Sequence, residues 1–243
     1  LFPSGDYAGV QLRIPTFGIV HHPPINLYMK INQFIDHTIL SPIATLDQVS
    51  QLCREAEEHQ FKAVCVAPLY VDAAVKLLSD SEVSVCTVIG FPFGYDHLAT
   101  KMAATTRAID EGADELDVVI NLPQVKNGEW DIIETEIDSF VTSIKLKRNK
   151  VMKLILETAY LTVEELEILC NLCTKYRVDF AKTSTGYAPD GATVENVTRM
   201  RTFLGDHVQI KASGGIRSKD TALELINAGA TRLGTSSGIK LLK

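Results

Sequence analysis

Basic residues are in short supply: 24 Lys and Arg stand against 30 Asp and Glu, a formal net charge of -6 over 243 residues. That balance excludes the clustered positive surface by which a chain holds nucleic acid. Any anionic ligand must then be gripped by local donors, because the net field repels it. Long apolar runs are missing as well, and no stretch reaches the eighteen or more residues of a membrane-spanning helix. Cysteine is sparse and odd in number: Cys53, Cys65, Cys86, Cys170 and Cys173 lack the density of a secreted disulfide scaffold, so a reducing, cytoplasmic setting is expected. Cys170 and Cys173 form a Cys-x-x-Cys, but they share helical spacing with Leu166 and Leu169 and have no second ligand pair. They read as core thiols, with no metal implied. Finally, Ser41-Pro42 stands where a dinucleotide-binding sheet would carry Gly-x-Gly-x-x-Gly after its first strand, which argues against that open-sheet class.

What is present divides at about residue 28. Leu1 to Tyr28 carries Pro3, Pro15, Pro23 and Pro24, shows no sustained period, and lacks the basic start and apolar centre of a signal peptide; it reads as an irregular N-terminal extension. The neighbouring His21 and His22 are weak metal ligands in such a segment. From Phe34 onward β-rich runs fall near 34–40, 63–68, 84–91, 115–121, 151–158, 179–185, 209–214 and 232–236. Amphipathic segments at 45–60, 70–79, 97–112, 129–147, 162–176, 193–204 and 218–228 fill the gaps. Thr45 with Gln48 and Thr162 with Glu165 predict capping boxes. Eight strand–helix units predict a single α/β domain over residues 29–243, a (β/α)8 TIM barrel, with an open doubly wound sheet as the alternative.

Strand alternation sorts the polar residues. If Leu116, Val118 and Ile120 face the helices, Asp117, Val119 and Asn121 face inward. The same rule turns Phe180, Lys182 and Ser184 inward, along with Lys211 and Ser213, while Ala181, Thr183, Ile210 and Ala212 face out. Asp36, Cys65, Lys153 and Glu157 are further inward candidates. Two lysines then sit on adjacent strands, about 4.8 Å apart. Like charges that close, and partly desolvated, favour loss of one proton, which is what an imine-forming lysine requires. Asp117 supplies a carboxylate able to balance charge and move protons. A purely structural ion network of Lys182, Lys211 and Asp117 is the competing reading. Gly214-Gly215 and Gly234-Thr235-Ser236-Ser237-Gly238 follow the last two strands, where barrel enzymes often bind phosphate. A phosphorylated substrate of an imine-forming enzyme fits all of these features.

The motifs Ile35-Asp36-His37-Thr38, Glu115-Leu116-Asp117-Val118-Val119, Ala181-Lys182-Thr183-Ser184-Thr185-Gly186 and Lys211-Ala212-Ser213-Gly214-Gly215-Ile216-Arg217 resemble, in order and spacing, those of the deoxyribose-phosphate aldolase family. The resemblance runs from about Met29 to the C-terminus. It implies a cofactor-free and metal-independent class I aldolase that cleaves 2-deoxy-D-ribose 5-phosphate to D-glyceraldehyde 3-phosphate and acetaldehyde in deoxyribose phosphate catabolism. By this resemblance Lys182 is the Schiff-base lysine, Lys211 the second lysine that depresses its pKa, and Asp117 the proton relay. The substrate- and phosphate-binding set is expected to be Asp36, Cys65, Thr185, Gly186, Gly214, Gly215, Gly234, Ser236 and Ser237. A homodimer or homotetramer is the expected assembly. Two departures stand out: Tyr187 occupies a position where some members carry a lysine near the phosphate, and the chain ends at Lys243, short of the tail whose terminal tyrosine aids proton transfer in some members. Rival readings are a transaldolase-like enzyme acting on another sugar and a non-catalytic barrel that binds a sugar phosphate. Because the extension is aperiodic and interrupted by proline, removing Leu1 to Tyr28 is expected to leave the cleavage rate nearly unchanged in a steady-state assay; a large loss would show that it packs on the folded domain.

Overall fold

Strands and helices alternate throughout the computed structural model, which describes residues 30–147 and 150–243. The expectations for Leu1 to Tyr28, including those for His21 and His22, lie outside the described residues. The strands are β1 (Ile35–Ile39), β2 (Ala63–Val66), β3 (Ser84–Ile89), β4 (Glu115–Val119), β5 (Val151–Ile155), β6 (Phe180–Lys182), β7 (Gln209–Ser213) and β8 (Arg232–Thr235). Each runs parallel to the next, and β8 closes on β1 through Ile35 opposite Leu233 and Asp36 opposite Gly234. Closure decides for the (β/α)8 barrel over the open sheet. No helix among the described residues is long and apolar enough to cross a membrane.

The helices are α1 (Leu46–Glu58), α2 (Val71–Leu77), α3 (Leu98–Asp110), α4 (Leu122–Lys126), α5 (Trp130–Leu146), α6 (Val163–Lys175), α7 (Val194–Phe203) and α8 (Lys219–Asn227). Both capping boxes form: Gln48 N donates to Thr45 Oγ1 while Thr45 N donates to Gln48 Oε1, and Thr162 and Glu165 reciprocate in the same way. Each ties down orphan amide donors at a helix start. The buried stripe of α6 is Leu166, Leu169, Cys170 and Cys173, so the Cys-x-x-Cys is core. Burial pushes the Cys170 thiol up to about 12 and the Cys173 thiol well above its ordinary value. Helix α4 was not visible as a period, because its five residues are too few to show one. Its start is set by Asn121, whose side chain accepts from Gln124 N, and by Pro123 in the first turn. Asn121 thus caps a helix at the end of β4 instead of facing into the barrel as alternation predicts.

The outward faces of the strands make the main core. Leu116, Val118, Ile120, Ala181, Ile210 and Ala212 are buried against the helices, which leaves the interior to the polar residues. Register then sets their heights: Lys182 pairs with Lys211, Lys211 with Arg232, and Asp117 with Lys153. Strand β6 is shorter than the 179–185 run, yet its extension stays bonded, with Thr183 N donating to Lys211 O and Thr158 N to Thr183 O. The chain keeps its place on the barrel while turning into the mouth.

A second device fixes the mouth from outside. Lys101 on α3 is fully buried and sends its ammonium to Glu136 Oε1 of α5 at 2.5 Å, Gly94 O at 2.9 Å and Val119 O at 2.8 Å. Glu136 Oε2 in turn accepts from Asn121 N at 3.1 Å. The pair therefore pins the end of β4, two residues beyond Asp117, to the loop after β3. That loop needs glycine at Gly94, which has a φ of +72° and would place a Cβ 2.0 Å from Ile120 O. Neither charge is predictable from its helix, where such residues normally face water. Lys101→Met leaves Glu136 buried without its partner and is expected to lower stability by about 3–5 kcal/mol in urea unfolding. Lys76→Met, which breaks an exposed i,i+4 pair with Asp72, should change it by less than about 1 kcal/mol.

Candidate active site

Period two places a layer of charge at the centre of the barrel. Lys153 donates to Asp117 Oδ1 at 2.8 Å and lies 2.6 Å from Glu115 Oε2. Lys211 donates to Asp36 Oδ2 at 2.5 Å and Asp117 Oδ2 at 2.8 Å. Arg232 donates to Asp36 Oδ1 at 2.8 Å and Glu115 Oε2 at 2.7 Å, with its guanidinium 5.1 Å from the Phe180 ring centre. Lys182 donates to Asp117 Oδ2 at 2.7 Å. All seven charged side chains are buried. The expected trio of Lys182, Lys211 and Asp117 is thus brought together through one oxygen atom. Glu115 and Arg232 were missed, although alternation would have reached them two residues before Asp117 and Gly234.

The layer carries four cations and three carboxylates, and its protonation follows from that. Burial alone would raise the Asp117 carboxyl, but Lys153, Lys182 and Lys211 outweigh it and hold it well below the usual carboxylate range. Asp36 is likewise depressed: burial opposes, while Lys211, Arg232 and Lys153 prevail. Burial works to deprotonate Lys211 and Lys153, yet Asp117 leads the opposing charges, and both amines are raised. Lys211 is therefore a fixed positive charge beside Lys182. Among the described residues Lys182 makes one ion pair, whereas Lys153, Lys211 and Arg232 each bridge at least two carboxylates. Lys182 is thus the least anchored cation of an over-cationic cluster.

Donor atoms of Cys65, Cys86 and Asp117 lie close enough to one another for metal ligation, as do those of Asp36, Cys86 and Glu115. Both groups are already shared with an ammonium, because Lys153 Nζ sits 3.2 Å from Cys86 Sγ, 2.8 Å from Asp117 and 2.6 Å from Glu115. A metal ion there would meet a positive charge, so the donor sets do not fit one.

Above the layer opens a cavity of about 400 Å³ with Lys182 among its lining residues. Of the expected binding residues, Thr185, Gly186, Gly214, Gly215, Gly234 and Ser236 line it, together with Tyr187, Ser213 and Arg217. Asp36 and Cys65 do not; they are buried, Asp36 bonded to Lys211 and Arg232 and Cys65 opposite Cys86 on the neighbouring strand. Ser237 does not line it either, and its amide donates to Thr235 Oγ1 at 2.9 Å. Gly186, Gly214 and Gly215 have φ of +89°, +87° and +78°, a region that favours glycine. A Cβ on Gly214 would also lie 2.9 Å from Gly191 Cα, so the loops after β6 and β7 pack backbone to backbone. Tyr187 turns its hydroxyl to Leu40 O at 2.8 Å and sets its ring edge-on to Phe91. It ties the loop after β6 to the loop after β1. Glu157, an inward candidate, instead bends over the end of β5 and accepts from Thr185 N and Thr185 Oγ1. Its carboxyl is raised by burial, against the opposing bonds from Thr185.

The depressed carboxylates link stability to pH. Asp36 and Asp117 titrate lower in the folded chain than the ordinary value of about 3.9, so their contribution is present above that value and is lost as pH falls through their folded values. Stability measured by urea unfolding should therefore decline on acidification below about pH 4. Asp117→Asn should cost about 3–5 kcal/mol at neutral pH and make the acid decline shallower; an unchanged acid limb would remove Asp117 from the network.

Comparison with known proteins agrees with this geometry. A family profile described as DeoC/LacD family aldolase matches residues 30–242. A protein of Thermoanaerobacter sp. (strain X514) named deoxyribose-phosphate aldolase is 45% identical over 215 residues, covering 88% of this chain and 96% of its own. A crystal structure of a putative deoxyribose-phosphate aldolase from Coccidioides immitis superimposes with a TM-score of 0.84 at 39% identity, covering 88% of this chain and 84% of the other. The deoxyribose phosphate aldolase of Aeropyrum pernix, described as a unique tetrameric structure, gives a TM-score of 0.81 at 34% identity, over 87% of this chain and 89% of the other. With an inward lysine pair sharing one aspartate oxygen at the floor of an open barrel mouth, and with these relatives, the chain belongs to the DeoC/LacD aldolase family.

Proposed function

We propose that this chain cleaves 2-deoxy-D-ribose 5-phosphate to D-glyceraldehyde 3-phosphate and acetaldehyde through an imine on Lys182, as a step of deoxyribose phosphate catabolism. The observation that carries the reading is the single Asp117 oxygen shared by Lys182 and Lys211 below the cavity. Lys182 is the nucleophile, Lys211 the fixed charge that favours its neutral form, and Asp117 the carboxylate that accepts and returns protons.

In the neutral form Lys182 Nζ adds to the C1 aldehyde, and loss of water leaves an iminium. The C3 hydroxyl then loses its proton to a water positioned by Asp117 and Lys211. The C2–C3 bond breaks as its electron pair moves toward the iminium nitrogen, so C3 becomes the aldehyde of glyceraldehyde 3-phosphate and Lys182 carries an enamine. Protonation of the enamine at C2 and hydrolysis release acetaldehyde and restore the amine. The iminium is the electron sink for the bond that breaks. At the far end, Gly186, Gly214, Gly215 and Ser236 offer backbone and hydroxyl donors to the phosphate, with Arg217 adding charge on the same wall. That arrangement supplies the local donors that a chain of net negative charge needs.

Acetaldehyde with borohydride should add the mass of one ethyl group to the peptide containing Lys182, and incubation with deoxyribose 5-phosphate should release acetaldehyde. A labelled chain that released a different aldehyde would be an imine aldolase of another sugar phosphate, and an unlabelled one would sink the catalytic reading. Lys211→Leu should slow imine formation near neutral pH by roughly ten- to a hundredfold, with partial recovery as pH rises. Equal loss at every pH would instead give Lys211 a direct part in proton transfer.

A further inference from the structure

Glu157 has no part in the imine chemistry above, yet its backbone is held in an uncommon conformation. Its φ is +55°, a value that residues other than glycine adopt rarely and that clusters at functional positions. The following residue is anchored on both sides: Thr158 N donates to Thr183 O, and Thr158 Oγ1 accepts from Asn196 Nδ2. The result is that a nearly inaccessible carboxylate is carried over the end of β5 to Thr185, where it accepts from the amide at 3.2 Å and from the hydroxyl.

A threonine hydroxyl has one proton to give and two lone pairs. At Thr185 the proton goes to Glu157, and one lone pair is taken by Tyr187 N at 3.1 Å. One lone pair is left. Thr185 lines the cavity and immediately precedes Gly186, whose turn packs against Gly214 at the phosphate end. A sugar chain running from Lys182 to that end brings past Thr185 the hydroxyl next to its phosphate-bearing carbon.

We infer that Glu157 is a positioning residue that makes Thr185 an obligate hydrogen-bond acceptor, so that the site selects an aldehyde phosphate bearing a hydroxyl beside its carbonyl. A donor is welcomed at that point; a carbonyl or phosphate oxygen meets only a lone pair. The hydroxyl in question is the one that glyceraldehyde 3-phosphate retains after cleavage. This inference rests on the proposed imine aldolase reading and adds the source of its selectivity on the acceptor side.

The test is the synthetic direction, with acetaldehyde as donor and two acceptors, glyceraldehyde 3-phosphate and 3-oxopropyl phosphate, which lacks only the hydroxyl. The ratio of their kcat/KM values is the readout, since a structural defect would lower both values together. The unchanged chain should prefer the hydroxylated acceptor by roughly ten- to a hundredfold. Thr185→Val and Glu157→Leu should each bring the ratio close to one, and the double variant should go no further, because Glu157 acts through Thr185. Thr185→Ser keeps the hydroxyl and Glu157→Gln keeps an acceptor oxygen, so both should retain most of the preference. A ratio near one in the unchanged chain, a ratio unmoved in Glu157→Leu, or parallel loss with both acceptors in Thr185→Val and Glu157→Leu would overturn the inference. If the unchanged chain labels at Lys182 with acetaldehyde and borohydride, such a result leaves the aldolase reading intact; if it does not label, the aldolase reading fails first.

Discussion

One oxygen atom, Oδ2 of Asp117, accepts hydrogen bonds from two ammonium groups in the buried centre of a barrel. Removing such charges from water is costly unless each is paired and hydrogen-bonded, so the surrounding structure is arranged to satisfy them. Parallel closure sets Lys182 beside Lys211 and Lys211 beside Arg232. Asp36 and Glu115 then complete the layer from β1 and β4. Outside the barrel, the buried Lys101–Glu136 pair holds the end of β4 and the loop after β3, which keeps the Asp117 strand in register with its neighbours.

The same layer separates stability from reactivity. Lys153, Lys211 and Arg232 are bridged between carboxylates and hold their protons; Lys182 reaches upward to the cavity from a single one. Charge balance makes the distinction sharper, because three carboxylates cannot neutralise four cations. Of the four cations, Lys182 is the one that lines the cavity. On the proposed reading, chemistry above the layer is divided by height: the imine forms at Lys182, the glycine turns hold the phosphate, and Thr185 reads what lies between.

Much of this was legible in the residues. Eight β-rich runs, two capping boxes and the outward apolar positions predicted the barrel, and alternation turned Lys182, Lys211 and Asp117 to the same interior. Alternation fails where strands stop: Asn121 caps α4, and Glu157 swings over the mouth in a left-handed turn. Glu115, the first residue of the Glu115–Val119 motif, and Arg232 were within reach of the same rule but lie low in the barrel, two residues before Asp117 and Gly234. Lys101 and Glu136 were not legible at all, since a buried ion pair between two helices leaves no periodic trace. Asp36 shares a motif with Thr38 of the cavity lining and Cys65 faces inward from β2, yet both are buried and neither lines the cavity. Spacing along a strand tells which way a side chain points, and only register tells how deep it lies.

The central claim, that Lys182 is the one amine of the layer free to react, is tested most directly by comparing the lysines with one another. Trace reductive methylation with formaldehyde and cyanoborohydride at neutral pH, read by peptide mass spectrometry on the folded chain, reports which buried amine forms an imine. The account predicts methylation at Lys182, with Lys153 and Lys211 unmodified on the same time scale. Faster methylation at Lys211 or Lys153, or equal protection of all three, would contradict it.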